Sequence, residues 1–279
     1  MKKVFVVWLL LAVCYALVTQ TLAATIPTVP SLSVIKARGV LRVAIFADMP
    51  PFGYIDESGQ HQGYDIYLAR RFAQEMFGDE SKIEFKVVSA AERVQVLQEG
   101  SVDIVLASFT VLPEREKLVD FANPYFKTAL GLVSSNAQNI TNLKQLKGKK
   151  LILTKDTTAD RYFLRNFPEV KVVLYERFGE AFDALLEGKG DAIARDNMPL
   201  LAWTLTHPDY KLTIPKFGNV YPIAPAVRKG NRELRNWINA VLVKLGDEQF
   251  AHKAYEATLR PFYGDAVDPD ALIVEGGML

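Results

Sequence analysis

Cysteine and histidine are scarce in this chain of 279 residues. The single cysteine, Cys14, lies in the apolar N-terminal run, and the three histidines, His61, His207 and His252, are widely scattered. One cysteine cannot form a disulfide within the chain, and histidines so far apart suggest neither a metal cluster nor a nucleophile paired with a base. No glycine loop of the phosphate-binding type is present either. We therefore expect no catalytic residue, no metal and no cofactor.

The chain also lacks an excess of charge of one sign. Its 33 Lys and Arg residues face 32 Asp and Glu residues, a formal net charge of +1. Lys2 and Lys3 are the only charged residues among the first 24, so a chain without that segment has 31 bases, 32 acids and a net charge of −1. Such a balance gives no electrostatic basis for binding nucleic acid.

The N-terminus has the pattern of an export signal. Lys2 and Lys3 precede an apolar run at 4–18, and small residues follow up to Ala23 and Ala24. The run is shorter than the roughly 20 residues that a membrane-spanning helix needs. We therefore expect residues 1–24 to be a cleaved signal peptide and the mature protein to be periplasmic.

A lipid anchor at Cys14 is the alternative to a free mature protein. Lipoprotein signals place a small residue just before the cysteine that is modified, and this chain has Val13 there. Lipidation of Cys14 is therefore not expected.

Strands alternate with helices along two stretches of the mature chain. Apolar residues occur at every second position in the predicted strands and at helical spacing in the predicted helices. This pattern predicts two α/β lobes, each a doubly wound parallel sheet that binds ligands at the carboxyl ends of its strands. The first series comprises residues 41–46, 65–77, 83–88, 92–98 and 103–107, and the second comprises residues 150–154, 157–167, 171–175, 180–186, 191–194 and 197–206.

Two extended apolar stretches, at 128–135 and 220–227, flank the second series. If one carries the chain into the second lobe and the other returns it, a single helix at 232–255 packs back on the first lobe. The predicted organisation is a two-strand hinge, a discontinuous first lobe at 34–132 and 224–262, a second lobe at 133–223, and a surface tail at 264–279 without helical periodicity.

Several short motifs, taken together and in order, resemble the family 3 polar amino-acid-binding proteins of ABC importers, in particular the glutamate- and aspartate-binding branch. The resemblance covers roughly residues 34–260 and implies a type II periplasmic-binding fold that closes on one amino acid. The motifs are Ser31-Leu-Ser-Val-Ile-Lys-Ala-Arg-Gly-Val-Leu-Arg-Val43, Met49-Pro-Pro-Phe52, Gln62-Gly-Tyr-Asp65, Asp103-Ile-Val-Leu-Ala-Ser-Phe-Thr110, Pro113-Glu-Arg115 and Phe121-Ala-Asn-Pro-Tyr125.

The ligand carboxylate is expected to meet the segment from Ser108 to Arg115. A guanidinium can take a carboxylate bidentately, and Thr110 can add a backbone N–H and a hydroxyl. The resemblance implies that the Ser108 carbonyl faces the ligand ammonium. The alternative is that Thr110 and Glu114 cap a helix while Arg115 pairs with a surface acid.

The second lobe is expected to meet the same zwitterion from the opposite side. Thr157 and Thr158 lie between a predicted strand and helix, where free N–H groups and the positive end of the helix dipole favour a carboxylate. The resemblance implies that Asp196 pairs with the ligand ammonium. Its alternative role is the N-cap of the helix that follows.

Phe52 and Arg93 are the candidates for contact with the ligand side chain. The resemblance implies an aromatic contact from Phe52 and, from Arg93, a guanidinium that favours acidic or amide ligands. Phe46 stands where some aspartate-binding relatives have lysine, which weakens the case for aspartate. The alternatives are a packed aromatic for Phe52 and a solvated helix-start residue for Arg93.

The sequence thus predicts a monomeric binding protein that is not an enzyme and that delivers a polar L-amino acid to the permease of an ABC importer. The alternative is a periplasmic enzyme of the cyclohexadienyl dehydratase type, because that activity occurs on the same fold.

Overall fold

The computed structural model describes residues 30–278. The expected signal peptide at 1–24, and with it Cys14, lies outside these residues. Within 30–278, no helix combines the length and the apolar character that crossing a membrane requires.

Helices and strands alternate along most of the described chain. In chain order the elements are α1 (Leu32–Arg38), β1 (Leu41–Ile45), β2 (Asp48–Met49), β3 (Gly53–Ile55), β4 (His61–Gln62), α2 (Tyr64–Phe77), β5 (Ile83–Val87), α3 (Glu92–Gln98), β6 (Ile104–Val105), α4 (Pro113–Glu116), β7 (Val119–Phe121), β8 (Phe126–Ser135), β9 (Lys150–Thr154), α5 (Thr158–Asn166), β10 (Lys171–Tyr175), α6 (Phe178–Leu186), β11 (Ala192–Asp196), α7 (Asn197–Thr206), β12 (Tyr210–Ile223), β13 (Ala226–Arg228), α8 (Arg232–Asp247), α9 (Phe250–Thr258) and α10 (Arg260–Tyr263).

The strands form two five-stranded sheets and a small three-stranded one. The first sheet has the order β5-β1-β6-β13-β7, the second has the order β10-β9-β11-β8-β12, and β2, β3 and β4 form the third. In each large sheet the first three strands are parallel, and the remaining two pair antiparallel with their neighbours. The predicted α/β fold of two lobes is therefore confirmed, but the sheets are mixed rather than wholly parallel.

Both faces of the second sheet are buried. Along β9, Leu151 and Leu153 belong to one apolar cluster, and Ile152 between them belongs to another on the opposite face. Such a strand is apolar at successive positions because both of its faces are covered by helices. This is the layer arrangement of a doubly wound lobe.

The chain passes between the two sheets through β8 and β12. These strands pair antiparallel, with Phe126 opposite Ile223. Phe126 packs in the core of the first lobe, whereas Leu130 and Leu132 pack in the core of the second. The extended segment predicted at 128–135 therefore lies within the first crossing strand, whereas the one predicted at 220–227 covers the end of β12 and the start of β13. The lobe boundaries at 132–133 and 223–224 remain a prediction.

The helix expected at 232–255 is interrupted. Helix α8 ends at Asp247 and α9 begins at Phe250, with Gln249 between them at φ 51°. A left-handed residue ends a helix because it reverses the course of the backbone. The apolar periodicity runs through this break, which is why the sequence predicts one helix.

The segment after Gly264 is not the expected surface tail. It contains two short 3₁₀ turns, Pro269–Ala271 and Glu275–Gly277, and Ile273 and Val274 are buried. The Lys127 N–H donates to the Leu272 carbonyl at 2.7 Å. The segment thus adds backbone hydrogen bonds beside the first crossing strand, a contact too distant in sequence for a local pattern to reveal.

Candidate ligand-binding cleft

A cavity lies where the carboxyl ends of strands from both lobes face each other, the position where ligands bind in open α/β folds. It holds about 280 Å³ of free space, including the part open to solvent. Six of the eight predicted site residues line it, and Phe52 and Arg115 do not. The lining residues are Phe46, Met49, Arg93, Ser108, Thr110, Thr157, Thr158, Phe178, Arg195 and Asp196.

Ser108 is held in an unusual backbone conformation by a buried carboxylate. Its φ is 41°, and its N–H donates to Oδ2 of Asp65 at 2.8 Å. The Tyr125 hydroxyl donates to Oδ1 of the same carboxylate at 2.6 Å. Burial raises the pKa of Asp65 to about 6, although these hydrogen bonds oppose the shift. Asp65 therefore fixes the turn that presents Ser108 to the cavity.

Arg93 is buried rather than solvated, with 3% of its surface exposed. Its Nε donates to the Ala90 carbonyl at 2.9 Å, and its Nη1 donates to the carbonyls of Ala107 and Ser108 at 3.1 and 3.3 Å. The guanidinium carbon lies 4.4 Å from the ring centre of Phe109. The guanidinium of Arg93 thus lines the cavity, but it is already hydrogen-bonded to backbone carbonyls.

Arg115 is also buried, so pairing with a surface acid is not what the structure shows. Its Nη1 donates to the Thr110 carbonyl at 3.0 Å and its Nη2 to the Asp156 carbonyl at 2.7 Å. Burial lowers its pKa to about 10. The short helix α4 has no side-chain cap, so the alternative cap by Thr110 is absent there. Arg115 stands behind the cavity wall, beside Thr110.

Two threonines begin helix α5 on the opposite lobe. Thr157 is its N-cap, and its hydroxyl accepts from the Asp160 N–H at 3.2 Å. The Thr158 hydroxyl donates to the Thr110 hydroxyl at 3.0 Å. These residues place a helix N-terminus and a pair of hydroxyls at the cavity, where a carboxylate is favoured.

Asp196 is the last residue of β11, directly before α7, and faces the same cavity. It has the N-cap position, but its side chain makes no capping hydrogen bond. Burial raises its pKa, and the positive charges of Arg195, Arg93 and Arg115 act in the opposite direction. The carboxylate is therefore available to a cation in the cavity.

Phe52 belongs to an aromatic cluster in the core. It is 3% exposed, and its ring packs edge-on against Phe126 at 5.2 Å and against Tyr64 at 6.4 Å. Phe52 is therefore a packed core aromatic, which is the alternative given for it in the sequence analysis.

Neither an apolar wall nor a third guanidinium was predicted from the sequence, although Phe46 was compared with the lysine of aspartate-binding relatives. The rings of Phe46 and Phe178 meet edge-on at 4.8 Å, and the guanidinium carbon of Arg195 lies 3.8 Å from the ring centre of Phe178. Phe46 and Arg195 stand at the ends of β1 and β11, a position that could have marked both as candidates. Phe178 comes from the start of α6 and has no such signal.

The two lobes touch each other around the cavity. Arg93 and Arg115 of the first lobe both donate to the Asp156 carbonyl of the second, and Asp156 has φ 56°. The Gly179 N–H donates to Oδ2 of Asp48 at 3.1 Å. The conformation is therefore a closed one, with polar contacts from both lobes surrounding the cavity.

Two α/β lobes, two crossing strands and a polar cavity enclosed between the lobes define the class of bilobal solute-binding proteins. The sequence matches the family model of bacterial extracellular solute-binding proteins, family 3, over residues 41–258, and the chain belongs to that family.

Relatives of known structure have the same fold. The crystal structure of a cysteine-binding protein from Campylobacter jejuni is 50% identical, with a TM-score of 0.86, and the match covers 88% of this chain and 98% of that one. The solute receptor for L-cysteine of Neisseria gonorrhoeae is 44% identical, with a TM-score of 0.87 and coverage of 88% and 100%. The ABC transporter glutamine-binding protein of Bacillus subtilis is 32% identical over 269 residues, covering 93% of this chain and 98% of the relative.

Proposed function

We propose that this protein captures one small polar L-amino acid between its lobes in the periplasm and, as a monomer, delivers it to the permease of an ABC importer. The observation that carries the proposal is the placement of the Asp196 carboxylate in the same closed cavity as the N-terminus of α5. These groups complement the ammonium and the carboxylate of an α-amino acid. The relatives named above are amino-acid-binding proteins, which supports the same class of ligand.

In this proposal Asp196 binds the ammonium together with the Ser108 carbonyl. The carboxylate is bound by Thr110, Thr157 and Thr158, with Arg115 exchanging its hydrogen bond to the Asp156 carbonyl for one to the ligand. Charge-assisted hydrogen bonds supply most of the affinity, because an amino acid offers little apolar area.

L-cysteine is the leading ligand. Two relatives at 50% and 44% identity are described as binding cysteine. The acidic or amide ligands suggested by Arg93 rank second, since backbone carbonyls already occupy that guanidinium.

We further propose binding without turnover, in contrast to a dehydratase on this fold. Incubation of the protein with its ligand, followed by mass analysis, is expected to return the amino acid unchanged. Chemical conversion of the bound ligand would instead favour the enzyme.

The proposed function is tested by titrating the protein without residues 1–24 with each common L-amino acid in a calorimeter. We expect saturable 1:1 binding of cysteine or another small polar amino acid, and a higher melting temperature in its presence. No binding of any amino acid, with the protein folded, would contradict the proposal.

A further inference from the structure

The guanidinium of Arg195 makes fewer hydrogen bonds than the other two beside the cavity, since Arg115 donates through Nη1 and Nη2 and only its Nε lacks a partner among the described residues. Arg195 is 3% exposed and lines the cavity, yet its Nε and Nη1 have no hydrogen-bond partner among residues 30–278. It lies over the rings of Phe178 and Phe182, with its carbon 3.8 and 5.6 Å from their centres. Arg93, by contrast, donates through all three of its nitrogens to backbone carbonyls.

Aromatic faces compensate the charge of Arg195 in part but accept no strong hydrogen bond from it. A buried donor without a partner is destabilising, and more so when it is charged. Asp196 and Asp48 act on its charge, but neither accepts a hydrogen bond from it within the described chain. These free donors would be satisfied by an acceptor inside the cavity.

We propose that Arg195 is the specificity-determining residue of the cleft and that its guanidinium binds an anionic atom on a short ligand side chain. This inference rests on the proposed function and names the side-chain chemistry of that same site. Two side chains have this chemistry, the thiolate of cysteine and the carboxylate of aspartate. Phe46, Met49 and Phe178 surround the same space with apolar surface, which suits a polarisable sulfur better than a strongly hydrated carboxylate.

Cysteine is then bound as its thiolate. A free thiol has a pKa of about 8.5, so at pH 7 most of the ligand must lose its S–H proton when it binds. The proton passes to the buffer, and no other bond is made or broken. The positive guanidinium offsets the electrostatic repulsion between the thiolate and the nearby carboxylates of Asp196 and Asp48.

The test is calorimetric titration at pH 7 in two buffers of different ionisation enthalpy, with L-cysteine, L-serine, L-alanine and L-aspartate. The wild type is expected to bind cysteine best and to release close to one proton per cysteine. Arg195→Met should weaken cysteine about 10- to 100-fold and abolish proton release, while alanine changes less than about threefold. Arg195→Lys keeps the cation and should retain part of the preference. Arg165→Met, an exposed arginine of the same lobe, is the matched control and should change nothing.

Melting temperatures measured without ligand separate a folding defect from a specificity change, and Arg195→Lys provides the comparison if the Met variant unfolds. An unchanged ratio of cysteine to alanine affinity in the folded Arg195 variants would overturn the inference and leave amino-acid binding intact. A wild type that prefers aspartate, without proton release and with the same dependence on Arg195, would support the anionic side chain and assign it to a carboxylate. A wild type that binds no amino acid would overturn both proposals.

Discussion

The two lobes contribute differently to the cleft. On the first lobe, Asp65 accepts three hydrogen bonds from Ser108 and Tyr125, and Arg93 donates to backbone carbonyls. On the second lobe, Asp196 makes no capping bond and Arg195 has donors without partners. The first lobe therefore presents a largely preformed surface, in which Nε of Arg115 is the one guanidinium nitrogen of Arg93 and Arg115 without a partner in the described chain. The second lobe keeps more polar groups whose partners a ligand can supply. Substitutions on the first lobe should accordingly lower stability, with or without a loss of affinity, whereas those on the second lobe should lower affinity with little loss of stability.

The largest effect is expected from Arg115→Ala on the first lobe. Arg115 is buried and hydrogen-bonded to both lobes. Its loss should therefore weaken binding by about 2–5 kcal/mol and lower the free energy of unfolding by about 1–3 kcal/mol. Calorimetric titration and urea unfolding measure the two. Near-native affinity would exclude Arg115 from the carboxylate clamp.

Asp196→Ala, with Asp196→Asn as its isosteric control, should lower affinity by a similar amount, about 2–5 kcal/mol, because the ligand ammonium loses its counter-ion. Stability without ligand should not fall, since burial already disfavours this carboxylate in the free protein. If both variants retained binding, Asp196 would be a helix-start residue only. A large loss of stability would contradict the contrast between the lobes.

Asp65 should make stability depend on pH. Its pKa is about 6 in the folded protein against 3.8 ordinarily, so between these values the folded state holds a proton that the unfolded state has lost. The contribution of Asp65 to the free energy of unfolding is fully present below about pH 4. It falls by about 3 kcal/mol as the pH rises through 6.

Asp65→Asn removes this titration and keeps an acceptor for Ser108. The stability of the wild type relative to the variant should therefore decrease between pH 4 and pH 7 in urea unfolding series. A constant difference across that range would mean that Asp65 does not titrate there.

The smallest effect on binding is expected from Phe52→Leu. Since Phe52 packs against Phe126 and Tyr64, stability should fall by about 1 kcal/mol while affinity changes by less than about 0.5 kcal/mol. A selective loss of affinity would restore the ligand contact that the sequence suggests for Phe52.

Local patterns in the sequence predicted the elements well. Helices α3 and α7 and strands β9 and β10 have the predicted bounds, because apolar periodicity reports which face of a single element is buried. The antiparallel strand β13 and the contact of the C-terminal segment with the first crossing strand depend on partners distant in sequence. No local signal specifies such pairings.

Part of the cleft could be predicted in the same way. Ser108, Thr157 and Asp196 follow strands, and this position brings them to the cavity whatever the remaining fold. Arg195 was not predicted, because its neighbour Asp196 already matched the acidic residue that the resemblance places at the end of this strand. Its importance lies in the hydrogen bonds that its guanidinium lacks, which only three-dimensional geometry reveals.

Closure of the two lobes on an amino acid is the central claim, and small-angle scattering tests it most directly. Scattering should be recorded from the protein without residues 1–24, with and without saturating ligand, and from Asp196→Ala under the same conditions. We expect a smaller radius of gyration with ligand for the wild type and no change for the variant, because closure brings contacts from both lobes around the ligand. Identical wild-type curves at a ligand concentration that calorimetry shows to be saturating would contradict the account.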